Sequence, residues 1–174
     1  ALPIYSENTI NNFIVIIDDL KELINKYQIP PELFELELTE SVGFEDFDKF
    51  LEIVNELKKL GFSIAMDDFG SGYSSLNMLR QIPCDILKLD RGFINDSTTD
   101  GRGKIVIKHI LSLAKNLSLK TVSEGIETVE QAQFLTDSGC DIAQGFLYAK
   151  PMSLEDFEQI AFKQKTISID GLKI

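Results

Sequence analysis

The sequence predicts an α/β fold, a row of βα units whose strands run parallel in one sheet. Two observations carry this. Short apolar or alternating segments take turns with segments of helical period along the 174 residues. No low-complexity stretch or shift of composition interrupts the alternation, so the chain reads as one domain, and its 44% hydrophobic content is ample for a core.

Each element follows from its own residues. Residues 8–27 carry apolar positions at helical spacing and stop before Pro30 and Pro31, which cannot continue a helix. Residues 33–39 alternate apolar and polar, as a half-buried strand does. A helix is expected over 46–60, closed by Gly61 just past its end. A strand over 63–67 precedes a helix over 74–81, a strand over 85–90 and an amphipathic helix over 104–116. A strand over 119–123 and a helix over 129–138, closed by Gly139, come next. Strands over 141–144 and 146–149 and a helix over 154–163 complete the reading.

Composition excludes several functions. A net charge of −11 and a pI near 4.5 argue against a DNA or RNA binder, which would carry a basic stripe. Cys84 and Cys140 have neither metal-ligand nor disulfide spacing and read as free thiols of a reducing compartment that pack as small hydrophobes. No run of about 20 apolar residues is present to span a membrane. With no signal peptide evident, a cytoplasmic domain is expected. His109 lies midway along an amphipathic helix and reads as a surface residue, not a base. The twelve Phe residues are spread as core, not grouped as a base-stacking platform.

The strand ends are the main functional signal. Successive strands finish as Glu37-Leu38-Thr39-Glu40, Asp67-Asp68, Lys88-Leu89-Asp90, Ser123-Glu124-Gly125 and Ala143-Gln144-Gly145. A (β/α) barrel builds its site from such ends, at one face. Side-chain alternation puts Glu35, Glu37 and Thr39 on one face of their strand, and Lys88 and Asp90 on one face of theirs. Each polar end has an ordinary explanation, as a cap, a helix start or an ion pair. Five in succession point to a site. Adjacent carboxylates followed by a Gly/Ser/Tyr loop, Gly70 to Ser75, suit a metal-dependent phosphate chemistry.

These motifs carry a resemblance. Glu37-x-Thr39-Glu40-Ser41, Asp67-Asp68-Phe69-Gly70-x-Gly72-Tyr73-Ser74-Ser75-Leu76, Lys88-Leu89-Asp90, Glu124-Gly125-x-Glu127 and Gln144-Gly145-Phe146-x-x-x-x-Pro151 resemble the EAL-domain cyclic-di-GMP phosphodiesterases in order and spacing. The resemblance runs from about Pro30 to Pro151. It implies a TIM-like (β/α) barrel and hydrolysis of cyclic di-GMP to linear pGpG with Mg²⁺ or Mn²⁺. It makes Glu37 and Asp67 ligands of one metal and has Asp67 bridge to a second that Asp68 also holds. Glu124 becomes a metal ligand or general base, Lys88 the neutraliser of phosphate charge, and Asp90 and Gln144 part of the polar shell. Glu40, Gly70, Ser71, Gly72, Tyr73 and Ser74 correspond to a mobile loop and its support, and Glu127, Gly145 and Pro151 complete the substrate side. For Glu127 a simple salt bridge is the alternative.

The chain also departs from the pattern. The family's Glu-Ala-Leu strand and its Asn-bearing strand are both absent from these residues. A barrel typically needs about 250 residues. The expectation is therefore an incomplete barrel lacking about the first two βα units, with N-terminal truncation the simplest explanation and natural shortening the lesser one. Its strands would be about the third to the eighth over residues 1–165, with a C-terminal tail over 166–174. In that tail Asp170-Gly171 between alternating apolar residues is a hairpin signature that could cover an edge, although an ordinary frayed terminus is the stronger expectation. Open edges invite a homodimer or partner chain, and the family implies a fused sensor or diguanylate-cyclase-like domain in a parent protein that can be membrane-tethered. The parent is expected to be active and this chain alone to be nearly inactive. A non-catalytic cyclic-di-GMP sensor or regulatory module is the main rival. A Schiff-base aldolase using Lys88 is disfavoured, because the surrounding carboxylates favour its ammonium form.

Overall fold

The computed structural model describes residues 9–39, 47–70, 75–98, 101–163, 168–169 and 172–173. Five parallel strands form the sheet: β1 (Glu35–Thr39), β2 (Ser63–Phe69), β3 (Ile86–Leu89), β4 (Lys120–Ser123) and β5 (Ile142–Ala143). Their spatial order is their sequence order, so each strand joins on the same side as the one before. A doubly wound sheet reverses direction at a switch point. This one does not, and an arc of a (β/α) barrel results. Among the described residues β1 and β5 each have a strand on one side only.

Alternation divides the arc into two faces. Ile64, Met66, Leu87 and Leu89 belong to the main core, together with Phe50, Val54 and Leu57 of α2 (Phe47–Lys59) and Ile107 and Leu111 of a later helix. Ala65, Ile86 and Val122 form a separate small cluster on the opposite face. Lys88 shares that inner face with them, two residues beyond Ile86. The α2 residues Phe50, Ile53, Val54 and Leu57 recur at i, i+3, i+4 and i+7, the spacing that aims one stripe at the sheet. Burying each is worth about 1.5–3 kcal/mol, more than the ~1 kcal/mol of a good cap, so packing and not capping holds this helix.

The remaining helices are α1 (Thr9–Tyr27), α3 (Ser75–Gln81), α4 (Arg91–Thr98), α5 (Gly101–Asn116), α6 (Val129–Asp137) and α7 (Leu154–Lys163). α2 ends as its sequence predicts: Phe62 N–H donates to Leu57 O at 3.2 Å and Gly61 N–H to Lys58 O at 3.0 Å, with Gly61 at φ +97°. Gly139 closes α6 in the same way, at φ +81°. α6 opens on a capping box in which Thr128 and Gln131 satisfy each other's main-chain N–H groups. α5 uses the same C-terminal bonding with Ser118, at φ +59°, where glycine is the usual residue.

Where two strands begin, a carboxylate ties each to its neighbour. Asp85 accepts from Ile64 N–H at 3.0 Å and pairs with Lys58 at 2.5 Å. Asp141 accepts from Thr121 N–H at 2.8 Å and from its hydroxyl at 2.7 Å. Both residues sit in a Cys-Asp-Ile triplet at the amino end of the sheet, the end where a barrel keeps stability features, not chemistry.

Three expectations need correction. Residues 146–149 form a turn, not a strand: Tyr148 N–H bonds to Gly145 O at 3.0 Å, and Leu147 N–H is taken by Ile126 O at 3.0 Å. The six strands numbered third to eighth are thus five in this sheet. Residues 91–98 form α4, where no element was expected, because Asp90 caps them. The strand over 85–90 stops at Leu89, which moves Asp90 out of the sheet. In the tail, Ser168–Ile169 pairs antiparallel with Leu172–Lys173, as the hairpin signature predicts; Asp170 and Gly171 lie outside the described residues. Among the described residues no helix is long and apolar enough to cross a membrane.

Candidate active site

Lys88 is the centre of the polar cluster. Its strand is buried throughout and the residue is only 7% exposed. Its Nζ donates to Glu37 Oε1 of β1, lies 2.8 Å from Glu124 Oε1 at the end of β4, and 3.1 Å from Asp67 Oδ1 of β2. Burial alone would lower the Lys88 pKa, but the surrounding carboxylates of Glu124, Glu37 and Asp67 prevail and hold it above the ordinary lysine value. The side chain is therefore a fixed cation, which removes the aldolase reading. Gln144, just beyond β5, donates its Nε2 to Glu124 Oε1 at 3.2 Å and orients that carboxylate.

The acid pair depends on an irregularity in β2. Met66 pairs with Leu87 but Phe69 with Leu89, so three residues of β2 span two of β3. Asp68 takes up the excess at φ +56°, a conformation that Asp adopts more readily than bulkier residues. Strict alternation would send Asp67 and Asp68 to opposite faces; the bulge frees the pair from that rule. The Asp68 carboxyl is pushed up by burial first, then by Asp67, Asp90 and Glu124, with Lys88 opposing.

Charge and donor chemistry fit a divalent cation. Three carboxylates, Glu37, Asp67 and Glu124, meet the ammonium of Lys88, and Asp68 adds a fourth negative charge beside them. Asp67 Oδ1 is buried and accepts no hydrogen bond, although Lys88 Nζ stands 3.1 Å away. Hard oxygen donors with uncompensated charge suit Mg²⁺ or Mn²⁺. Among the described residues no three such side chains form a ready ligand cage, because three of the carboxylates converge on the lysine instead.

The other expected residues fall into place unevenly. Asp90 Oδ1 accepts from Gly92 N–H at 2.7 Å and Phe93 N–H at 3.2 Å, so it caps α4 while still acting electrostatically on Asp68. Glu127 pairs with Arg91 at 2.7 Å, an exposed pair worth at most ~1 kcal/mol. Gly145 packs so tightly that a Cβ would stand 2.2 Å from the Ile126 backbone. Gly70 at φ +101° faces the Phe93 ring. A groove of about 790 Å³ runs from Glu124 and Gln144 past Gly145 to Pro151, with Phe146 and Phe157 on its wall. Glu40, Ser71, Gly72, Tyr73 and Ser74 lie outside the described residues. His109 is exposed, and burial pushes both Cys84 and Cys140 thiols up, as unreactive cysteines require. Reading the sequence missed Arg91 and Phe93. The signal was Asp90, a favoured N-cap residue directly after a strand.

Known proteins share this sequence pattern and fold. The family model described as "EAL domain" matches residues 5–151. The bifunctional diguanylate cyclase/cyclic di-GMP phosphodiesterase MucR of Pseudomonas aeruginosa is 41% identical over 140 residues, 80% of this chain and 20% of MucR. A solved PaMucR phosphodiesterase complex with c-di-GMP superposes with a TM-score of 0.74 at 40% identity, covering 81% of this chain and 57% of that one. A manganese/cy-diGMP complex of Klebsiella pneumoniae BlrP1 gives 0.72 at 29% identity, over 78% of this chain and 34% of that one. The chain spans about a fifth of the length of the first curated relatives it matches.

Proposed function

This chain belongs to the EAL-domain family, and on that premise we propose that the protein carrying it hydrolyses cyclic di-GMP to linear pGpG. The observation that carries the proposal is the convergence of carboxylates from three strands on one buried lysine. Such a cluster has no structural economy: holding a buried ammonium among half-buried carboxylates costs more than apolar packing would. It is intelligible as a site that meets an anionic, phosphate-bearing substrate.

In this reading Glu37, Asp67, Asp68 and Glu124 hold Mg²⁺ or Mn²⁺. Bound there, two such ions would lower the pKa of a water and neutralise charge on the phosphodiester. Lys88 keeps its proton at Nζ and presents a permanent positive charge to the scissile phosphate. Glu124 serves either as metal ligand or as the base that takes the proton of the attacking water; its hydrogen bond from Gln144 supports a fixed orientation for either role. Asp90 belongs to the polar shell through its charge and to the scaffold through its cap. The groove beyond Glu124 receives the dinucleotide, with Glu127, Gly145 and Pro151 along it. Glu40, Gly70, Ser71, Gly72, Tyr73 and Ser74 supply the loop over the site.

The domain occupies residues 1–165 and the tail 166–174. The free edges of β1 and β5 accept further strands or a second copy, and the protein works in the cytoplasm, with a sensor or cyclase domain attached as in MucR. The test combines product analysis with calorimetry on the full-length protein and Mn²⁺. Appearance of pGpG, with a fall of about 10²–10³ in kcat for Lys88→Met, is expected for a phosphodiesterase. Tight binding of cyclic di-GMP without cleavage would assign the protein to the sensor class instead.

A further inference from the structure

α4 begins where β3 ends, so its first turn sits between the exits of the two strands flanking β3. Asp90 fixes that turn: its N–H bonds to Phe69 O of β2 at 3.3 Å, its Oδ1 caps Gly92 and Phe93, and its carbonyl accepts from Ile94 N–H at 3.1 Å. Two side chains of the turn then reach in opposite directions. Phe93 lies against Gly70, where an added Cβ would be 2.6 Å from the ring. The stem of Arg91 lies against Gly125, where an added Cβ would be 2.3 Å from Cγ. Both glycines have positive φ, +101° and +67°, and both come within two residues of the carboxylates that matter. Gly70 comes two residues after Asp68, and Gly125 one after Glu124. The Arg91–Glu127 pair holds the arginine stem across Gly125.

We infer that Phe93 and Arg91 are positioning residues whose packing on Gly70 and Gly125 sets the separation between the Asp67–Asp68 pair and Glu124, and with it divalent-metal affinity. The inference rests on reading those carboxylates as metal ligands. Neither side chain meets the metal. Each acts as a spacer, because a glycine leaves no side chain of its own to hold the distance. Supports of this kind typically cost 10–100-fold in metal affinity when removed.

The test is calorimetric titration of Mn²⁺ alone into the full-length protein and its variants, followed by steady-state kinetics. Phe93→Ala should weaken Mn²⁺ binding about tenfold or more, and Phe93→Leu, which keeps most of the bulk, should recover it to within about threefold. kcat should fall in Phe93→Ala at limiting Mn²⁺ while KM for cyclic di-GMP stays within about twofold. Arg91 is largely exposed, so Arg91→Ala keeps the fold and carries the test should Phe93→Ala fail to fold; it too should bind Mn²⁺ more weakly. Wild-type Mn²⁺ affinity in Phe93→Ala and Arg91→Ala, or no recovery in Phe93→Leu, overturns the inference. A protein that binds Mn²⁺ but leaves cyclic di-GMP intact refutes the phosphodiesterase reading alone. The positioning role is then decided by the titration.

Discussion

Among the described residues, Asp67 Oδ1 and Ser123 Oγ are buried without a hydrogen-bond partner, and their settings separate function from packing. Asp67 Oδ1 faces the inner cluster beside Lys88, where a ligand would use it. Ser123 Oγ is fully buried one residue before Glu124, on a residue that the site does not use. Leaving a hydroxyl unsatisfied costs about 1–3 kcal/mol, and alanine removes the hydroxyl with little change of shape. Ser123→Ala should therefore raise stability by about 1 kcal/mol, seen as a Tm increase of about 2–4 °C in a protein of this size. A lower Tm would show that Ser123 has a partner in solution. Lys88 illustrates the opposite limit. Its proton is secured by three carboxylates, so activity should not show a lysine titration anywhere near neutrality.

At the level of elements, joints decide more than propensities. Ser118 ends α5 in the left-handed conformation, which costs an L-residue about 1–2 kcal/mol and glycine almost nothing. Glycine also loosens the unfolded chain by about 0.4–1 kcal/mol, so Ser118→Gly should stabilise by a net ~0.5–1 kcal/mol in denaturant titration. At the start of β5, hydrogen bonds from Thr121 hold Asp141 below the ordinary carboxylate pKa. A depressed folded-state pKa means a contribution that is complete above the unfolded value near 4 and is lost as pH falls through the folded one. Stability should thus decline from about pH 5 downward, and Asp141→Asn should flatten part of that decline in chemical denaturation at stepped pH. Unchanged acid sensitivity in the variant would assign it to other carboxylates. Asp85, which accepts from Ile64 N–H, makes the equivalent joint between β2 and β3.

For the whole molecule, the arc explains why the cluster is half open. Strands β1 to β4 bring Glu37, Asp67, Lys88 and Glu124 together, yet among the described residues the buried apolar cluster beneath them is small: Ala65, Ile86 and Val122. A closed barrel fills that space with layers of side chains. The 174-residue chain by itself should bind Mn²⁺ weakly and turn over cyclic di-GMP little or not at all, whereas the full-length protein should be active under the same conditions. Equal turnover by the two would show that the arc suffices. The sequence by itself determined the alternation of elements, the caps at Gly61 and Gly139, and the acids and lysine at the strand ends, because periodicity, φ > 0 and charge are local properties. Only tertiary structure decided the bulge at Asp68, the capping role of Asp90, α4 with Arg91 and Phe93, and the turn in place of a strand at 146–149. The bulge rests on a neighbouring strand's register and the turn on the Ile126 backbone; Asp90 carries a local capping signal, but only its bond to Phe69 O fixes where β3 gives way to α4.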